Sequence, residues 1–164
     1  MGFGRNVLGV IGSSFSLSDD GKPQNKLGAA QLDWATFAAV GSDTTVPFTD
    51  GMVCPSGSKF CRLGQVICRI TGTSNGGTVG KFGPYDPAAT DGRQSLVRGD
   101  CFLVNRAVVS NDPRAEFPEA INGGKIWLAR VLQSGTATHT LALGPTLAEV
   151  EAAFPEAQWV KEAS

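Results

Sequence analysis

Gly83-Pro84-Tyr85-Asp86-Pro87-Ala88-Ala89-Thr90-Asp91-Gly92-Arg93-Gln94 is the longest run of turn chemistry in the chain, and strand-like segments flank it on both sides. Pro84 and Pro87 fix φ and remove two backbone donors, and each pushes the residue before it to extended geometry. Asp91-Gly92 is a strong tight-turn dipeptide. The run is therefore a shaped loop rather than a linker, and it holds an aromatic ring, two carboxylates and an arginine within a few residues of one another. Asp86 and Asp91 read as turn carboxylates that accept backbone N–H bonds, with Arg93 as a clamp bridging to a carboxylate.

The flanks are β-like. Val66, Cys68 and Ile70 alternate with Ile67, Arg69 and Thr71, the pattern of a half-buried strand. Gly72 to Gly80, with Asn75-Gly76 inside it, predicts a hairpin tip. Ser95 to Ser110 predicts two core strands with a bend or bulge at Gly99-Asp100. Lys125 to Leu132, apolar on both faces for part of its length, predicts a central strand, and Thr138 to Leu143 is a final candidate. Pro145 to Phe154 is the one convincing helix, with Leu147, Val150, Glu151 and Phe154 at helical spacing and Pro155 ending it.

Composition agrees with many short strands. Glycine (21) and proline (9) make up about 18% of the 164 residues, well above the background of roughly 12%. Only 18% of residues are charged, which leaves neutral surface free for contact. The length suits one domain with arms. Residues 1–50 read as an extended N-terminal arm rich in breakers, 51–144 as the β-rich body, and 145–164 as a short helix and tail. In the arm only Leu27 to Val40 stands out, as either a short helix or an irregular docked segment. Its Trp34 and Phe37 must be covered, and a neighbour's surface is the expected cover.

Net charge is −1 overall, but −2 over residues 1–50, +4 over 51–144 and −3 over 145–164. This balance argues against generic nucleic-acid binding, which needs a concentrated positive field. A dispersed solvated surface explains most of the asymmetry, and pairing of the basic middle with an acidic protein partner is the alternative. No apolar run approaches the ~20 residues of a membrane span, and the opening residues do not form a signal peptide, so a soluble chain not exported by that route is expected.

Catalytic and metal signatures are weak. Cys54, Cys61 and Cys68 are spaced by seven, without the close pairs a zinc site uses. With Cys101 they read as reduced thiols acting as small hydrophobes, a Cys54–Cys61 disulfide being the alternative. His139 is the single histidine and reads as a solvent-facing strand residue. No phosphate-binding loop, dinucleotide fingerprint or G-x-S-x-G occurs. No catalytic residue, metal or cofactor is expected.

GPYDPAATDGRQ followed by LVRGDCFLVN resembles the signature of bacteriophage head decoration proteins, the lambda-type capsid-cementing family. The similar segment runs from about Gly64 to Leu132; the first sixty or so residues and the last twenty fall outside it. The resemblance implies a small β-rich body with an N-terminal segment that orders on the capsid; joined to the sequence pattern, it predicts a mainly β protein with a small barrel or sandwich-like body of the β-tulip type, an extended N-terminal arm and a short C-terminal helix. It implies a non-enzymatic homotrimer on the outer face of the virion capsid, made in the host cytoplasm, whose partners are the major capsid protein and itself, not nucleic acid or membrane. The arm would carry capsid contacts at Phe3, Arg5, Val7, Leu8, Trp34 and Phe37, and the structural loop would be Gly83, Pro84, Tyr85, Asp86, Asp91, Gly92 and Arg93. A tail or baseplate component of a virion is the alternative.

Overall fold

The computed structural model describes residues 30–112, 115, 118–131, 134 and 144–160. The chain is mainly β; among the described residues there is one short helix, near the C-terminal end, and the sheets do not close into a barrel. Ten short strands are present among the described residues: β1 (Thr44–Thr45), β2 (Val53–Cys54), β3 (Phe60–Cys61), β4 (Val66–Arg69), β5 (Phe82–Pro84), β6 (Cys101–Val104), β7 (Val108–Val109), β8 (Ala120–Ile121), β9 (Gly124–Trp127) and β10 (Ala157–Val160). The centre is a four-stranded antiparallel sheet in the order β5-β4-β6-β8. Three two-stranded pairs surround it: β1 with β2, β3 with β7, and β9 with β10, the last parallel.

Alternation along β4 and β6 sends side chains to two separate cores. Val66, Cys68, Cys101 and Leu103 join Ile121, Ile126, Val131, Val150 and Phe154 on one face. Ile67, Phe102 and Val104 join Leu32, Phe37, Cys61, Phe82 and Ala120 on the other. Strand β4 is thus buried on both faces, where the alternation predicted a half-buried strand. The difference has a physical source: residues 30–37 cover the second face. Gln31 C=O accepts from Phe82 N–H at 2.8 Å, and Asp33 N–H donates to Phe82 C=O at 2.8 Å, so this segment lies parallel to β5 and occupies its free edge.

The extended arm predicted for residues 1–50 is corrected over its second part. Residues 30–50 belong to the body: Phe37 is buried in the second core, Trp34 packs on it at a centroid distance of 4.9 Å, and Val46 is buried beneath the β1–β2 hairpin. Phe37 is covered by its own chain, and Trp34 is half-buried against it. Among its described residues the Leu27–Val40 segment contains one 3-10 turn, Trp34–Thr36, capped by the Asp33 carboxylate. Phe3, Arg5, Val7 and Leu8 lie outside the described residues, as do His139 and the candidate strand Thr138 to Leu143.

The Asn75-Gly76 hairpin joins β4 to β5 as predicted, with Gly80 N–H donating to Ile70 C=O and Ile70 N–H to Lys81 C=O. Within Ser95 to Ser110 the strands are β6 and β7; Leu96 and Val97 precede a turn closed by Asp100 N–H on Val97 C=O. Lys125 to Leu132 departs from the central strand expected of it. Its extended part is β9, which pairs among the described strands with β10 alone, and Leu128–Arg130 turns into a 3-10 helix as Arg130 stacks over Trp127. Helix α1 (Leu147–Ala153) starts on a capping box: Thr146 Oγ1 accepts from Glu149 N–H, and Glu149 Oε2 accepts from Thr146 N–H at 2.8 Å. Those two bonds satisfy orphan donors of the first turn. The helix buries Val150 and Ala153, with Phe154 after it, in the first core.

Candidate functional site

The proline loop is built from the inside outward. Asp91 is completely buried and Arg93 nearly so, and Arg93 Nε donates to both Asp91 carboxylate oxygens, at 3.0 and 3.1 Å. Arg93 N–H also donates to Asp91 Oδ1 at 3.2 Å. A buried carboxylate that had no such donors would carry a large desolvation penalty, so the pair is a requirement of the loop's burial. The backbone of Asp91 is equally engaged, its carbonyl accepting from Thr71 N–H at 2.7 Å and Gly72 N–H at 3.1 Å. Gly92 then turns at φ +104°, and a Cβ there would lie 2.5 Å from Thr71 Oγ1 and 2.8 Å from Arg69 C=O. Only glycine fits that approach.

The loop ends are tied as well. Tyr85 N–H donates to Val66 C=O at 3.0 Å, Asp86 N–H to Arg93 C=O at 3.2 Å, and Asn75 Oδ1 on the hairpin tip accepts from Thr90 N–H at 2.9 Å. Asp86 and Asp91, alike in the sequence, differ here. Asp86 turns its carboxylate onto Ala88 N–H at 2.9 Å near the surface, and Arg93 takes Asp91.

One wall of an open groove of about 560 Å³ is this loop, through Pro84, Tyr85 and Arg93. The other walls are Phe37 to Val40 and the β3 region, with Phe60 and Arg62. Apolar surface dominates the lining, and the Arg62 guanidinium rests 5.3 Å over the Phe60 ring. Sequence reasoning singled out Pro84, Tyr85, Asp86, Arg93 and Phe37, and the structure brings these five to one groove. Trp34 packs on Phe37 and is not part of the lining. Val40, Phe60 and Arg62 were missed, since nothing local ties them to residue 84.

Asp33 was missed too, although an Asp before Trp-Ala-Thr carries a helix-capping signal. It is buried, and its carboxylate accepts from Ala35 N–H at 3.1 Å and from Thr78 N–H. Burial pushes its carboxyl up, but the Thr78 and Ala35 donors, with help from Lys81, outweigh it and hold the group below its ordinary value.

All four cysteines are buried free thiols. Cys54 and Cys61 belong to different apolar clusters, so the alternative of a bridge between them does not hold in this structure. Burial pushes the thiols up, Cys101 to about 11, far from the range of reactive cysteines. Among the described residues no three His, Cys, Asp or Glu side chains converge as a metal site would require, and no helix is long and apolar enough to cross a membrane. What the groove can do chemically is hold an extended apolar segment against the loop wall, with the Arg62 guanidinium in its lining. Comparison with protein-family models, with curated proteins and with solved structures found no match.

Proposed function

We propose that this chain is a structural virion protein that binds the outer face of a phage capsid and stabilises the shell, as head decoration proteins do, by contact rather than chemistry. The observation that carries the reading is the groove. The loop whose sequence resembles the decoration family is one wall of the groove, and the buried Asp91–Arg93 pair makes that wall rigid. A preformed apolar groove lowers the ordering cost of binding a partner segment. The partner in this reading is the major capsid protein, and three copies of the chain would gather on a threefold site so that weak contacts sum through effective concentration. The basic middle of the chain suits an acidic rim on that partner.

The test is assembly on particles. Purified protein is incubated with bare shells of the phage that encodes it, and copies per shell are counted on quantitative gels against the major capsid protein. Decoration predicts a fixed, high ratio to the capsid protein and a shell that survives more heating. A few copies at one vertex or on the tail would instead make it a tail or baseplate component. Ala39→Arg, at an exposed position lining the groove, should abolish shell binding while the isolated protein melts as before.

A further inference from the structure

Cys68 of β4 and Cys101 of β6 face each other across the central strand pair, and both are buried on the same face. In an antiparallel ladder, opposed residues alternate between hydrogen-bonded pairs and closer, non-hydrogen-bonded pairs. Arg69 N–H donates to Asp100 C=O at 2.7 Å, and Val104 N–H donates to Gln65 C=O at 3.0 Å, so pairs 69/100 and 65/104 are hydrogen-bonded. Counting by two along the ladder, 68/101 is a non-hydrogen-bonded pair, where Cα atoms stand about 4.5 Å apart. That separation falls inside the span of about 4.4–6.8 Å that a disulfide tolerates. The other two cysteines have no such partner: Cys54 opposes Thr44 and Cys61 opposes Val108.

We infer that Cys68 and Cys101 are a latent redox pair that closes into a cross-strand disulfide when a small disulfide oxidant gains access. The thiolate of one cysteine attacks the oxidant's S–S bond and expels one thiolate, leaving a mixed disulfide; the second cysteine then attacks its own partner's sulfur and expels the other. The protein pair loses two electrons and two protons, and one oxidant disulfide becomes two thiols. Cys101 is the attacking residue, since it is the first residue of β6 whereas Cys68 lies inside β4. It also follows the turn at Val97 to Asp100, where Val97 is exposed, so a local opening at that turn reaches Cys101 first. The closed bond would staple β4 to β6 and enclose residues 69–100, the hairpin and the proline loop together.

The experiment exposes the purified full-length chain to 2-hydroxyethyl disulfide, both folded and during refolding from the reduced, denatured state. The remaining thiols are then alkylated under denaturing conditions and the chain is mapped by mass spectrometry. The expected result is a linked peptide pair containing Cys68 and Cys101, with Cys54 and Cys61 alkylated. In the folded protein the link should form faster at pH 9 than at pH 7. The oxidised form should melt several degrees higher, as a loop-closing bond predicts, and dithiothreitol should reverse the shift. Four alkylated cysteines after oxidative refolding, or a dominant link through Cys54 or Cys61, would overturn the inference.

Discussion

Two buried carboxylates anchor neighbouring parts of this molecule, and they differ in how far along the chain they reach. Asp91 takes its partner, Arg93, two residues away. Asp33 takes Thr78 N–H, 45 residues away, and thereby fastens residues 30–37 over the second face of the central sheet. The proline loop draws its central clamp from within itself. The 30–37 segment has a conformation only because β5 and the hairpin are there to receive it. Removing the first anchor should therefore damage the sheet, and removing the second should release a cover from it.

The sharpest test of that contrast is Arg93→Ala, which leaves the Asp91 carboxylate buried without its guanidinium. A loss of about 3–5 kcal/mol is expected, read as a shift in denaturant midpoint with an unchanged slope. If the variant melts like the parent, the loop is not internally clamped and the contrast fails.

Asp33→Ala should cost somewhat less, about 1.5–3 kcal/mol for donors left without a charged acceptor, and it should do so differently. Cleavage near residues 30–40 is expected before global unfolding, whereas Arg93→Ala should unfold as a unit. Acid offers the same test without mutation. The Asp33 carboxyl is held below its ordinary value, so its stabilisation is complete above the unfolded value near ~3.9 and is lost as pH falls through the lower folded value. Pepsin should begin to clip this segment only below about pH 4, and clipping that starts already at pH 5–6 would contradict the assignment.

Gly83 lies where the two regions meet. A Cβ there would sit 2.5 Å from Thr36 Oγ1 and 2.6 Å from Arg93 Cδ, both held by bonds of their own. Gly83→Ala should cost about 1–3 kcal/mol by overpacking and should disturb both regions at once, seen as lost amide-exchange protection at Thr78 and at Arg93. Protection lost at one site alone would show that the two are less tightly joined. The smallest effect belongs to Asp86→Ala. Its carboxylate serves one exposed turn N–H, so thermal melting should move by less than about 1 kcal/mol equivalent.

Much of the loop was legible because its chemistry is close at hand. Pro84, Pro87, Gly92 and the Asp–Arg pair act over a few residues, as does the Thr146–Glu149 capping box that starts helix α1. The choice between Asp86 and Asp91 as the partner of Arg93 was not legible, since both lie within reach along the chain and only burial separates them. Strand β10 escaped for a different reason: Ala157–Val160 is extended because β9, more than thirty residues earlier, offers a parallel edge.

Sequence by itself determined the mainly β class, the hairpin, the shaped loop and the short helix, each from turn chemistry and periodicity acting over fewer than about ten residues. Tertiary structure alone decided that residues 30–50 belong to the body, that both faces of β4 are buried, and that Phe37, Phe60 and Tyr85 share a groove. Apolar burial has no direction along the chain. An aromatic such as Phe37 announces that it must be covered, but what covers it depends on which surfaces fold up beside it, here those of Phe82 and Phe102 from distant strands.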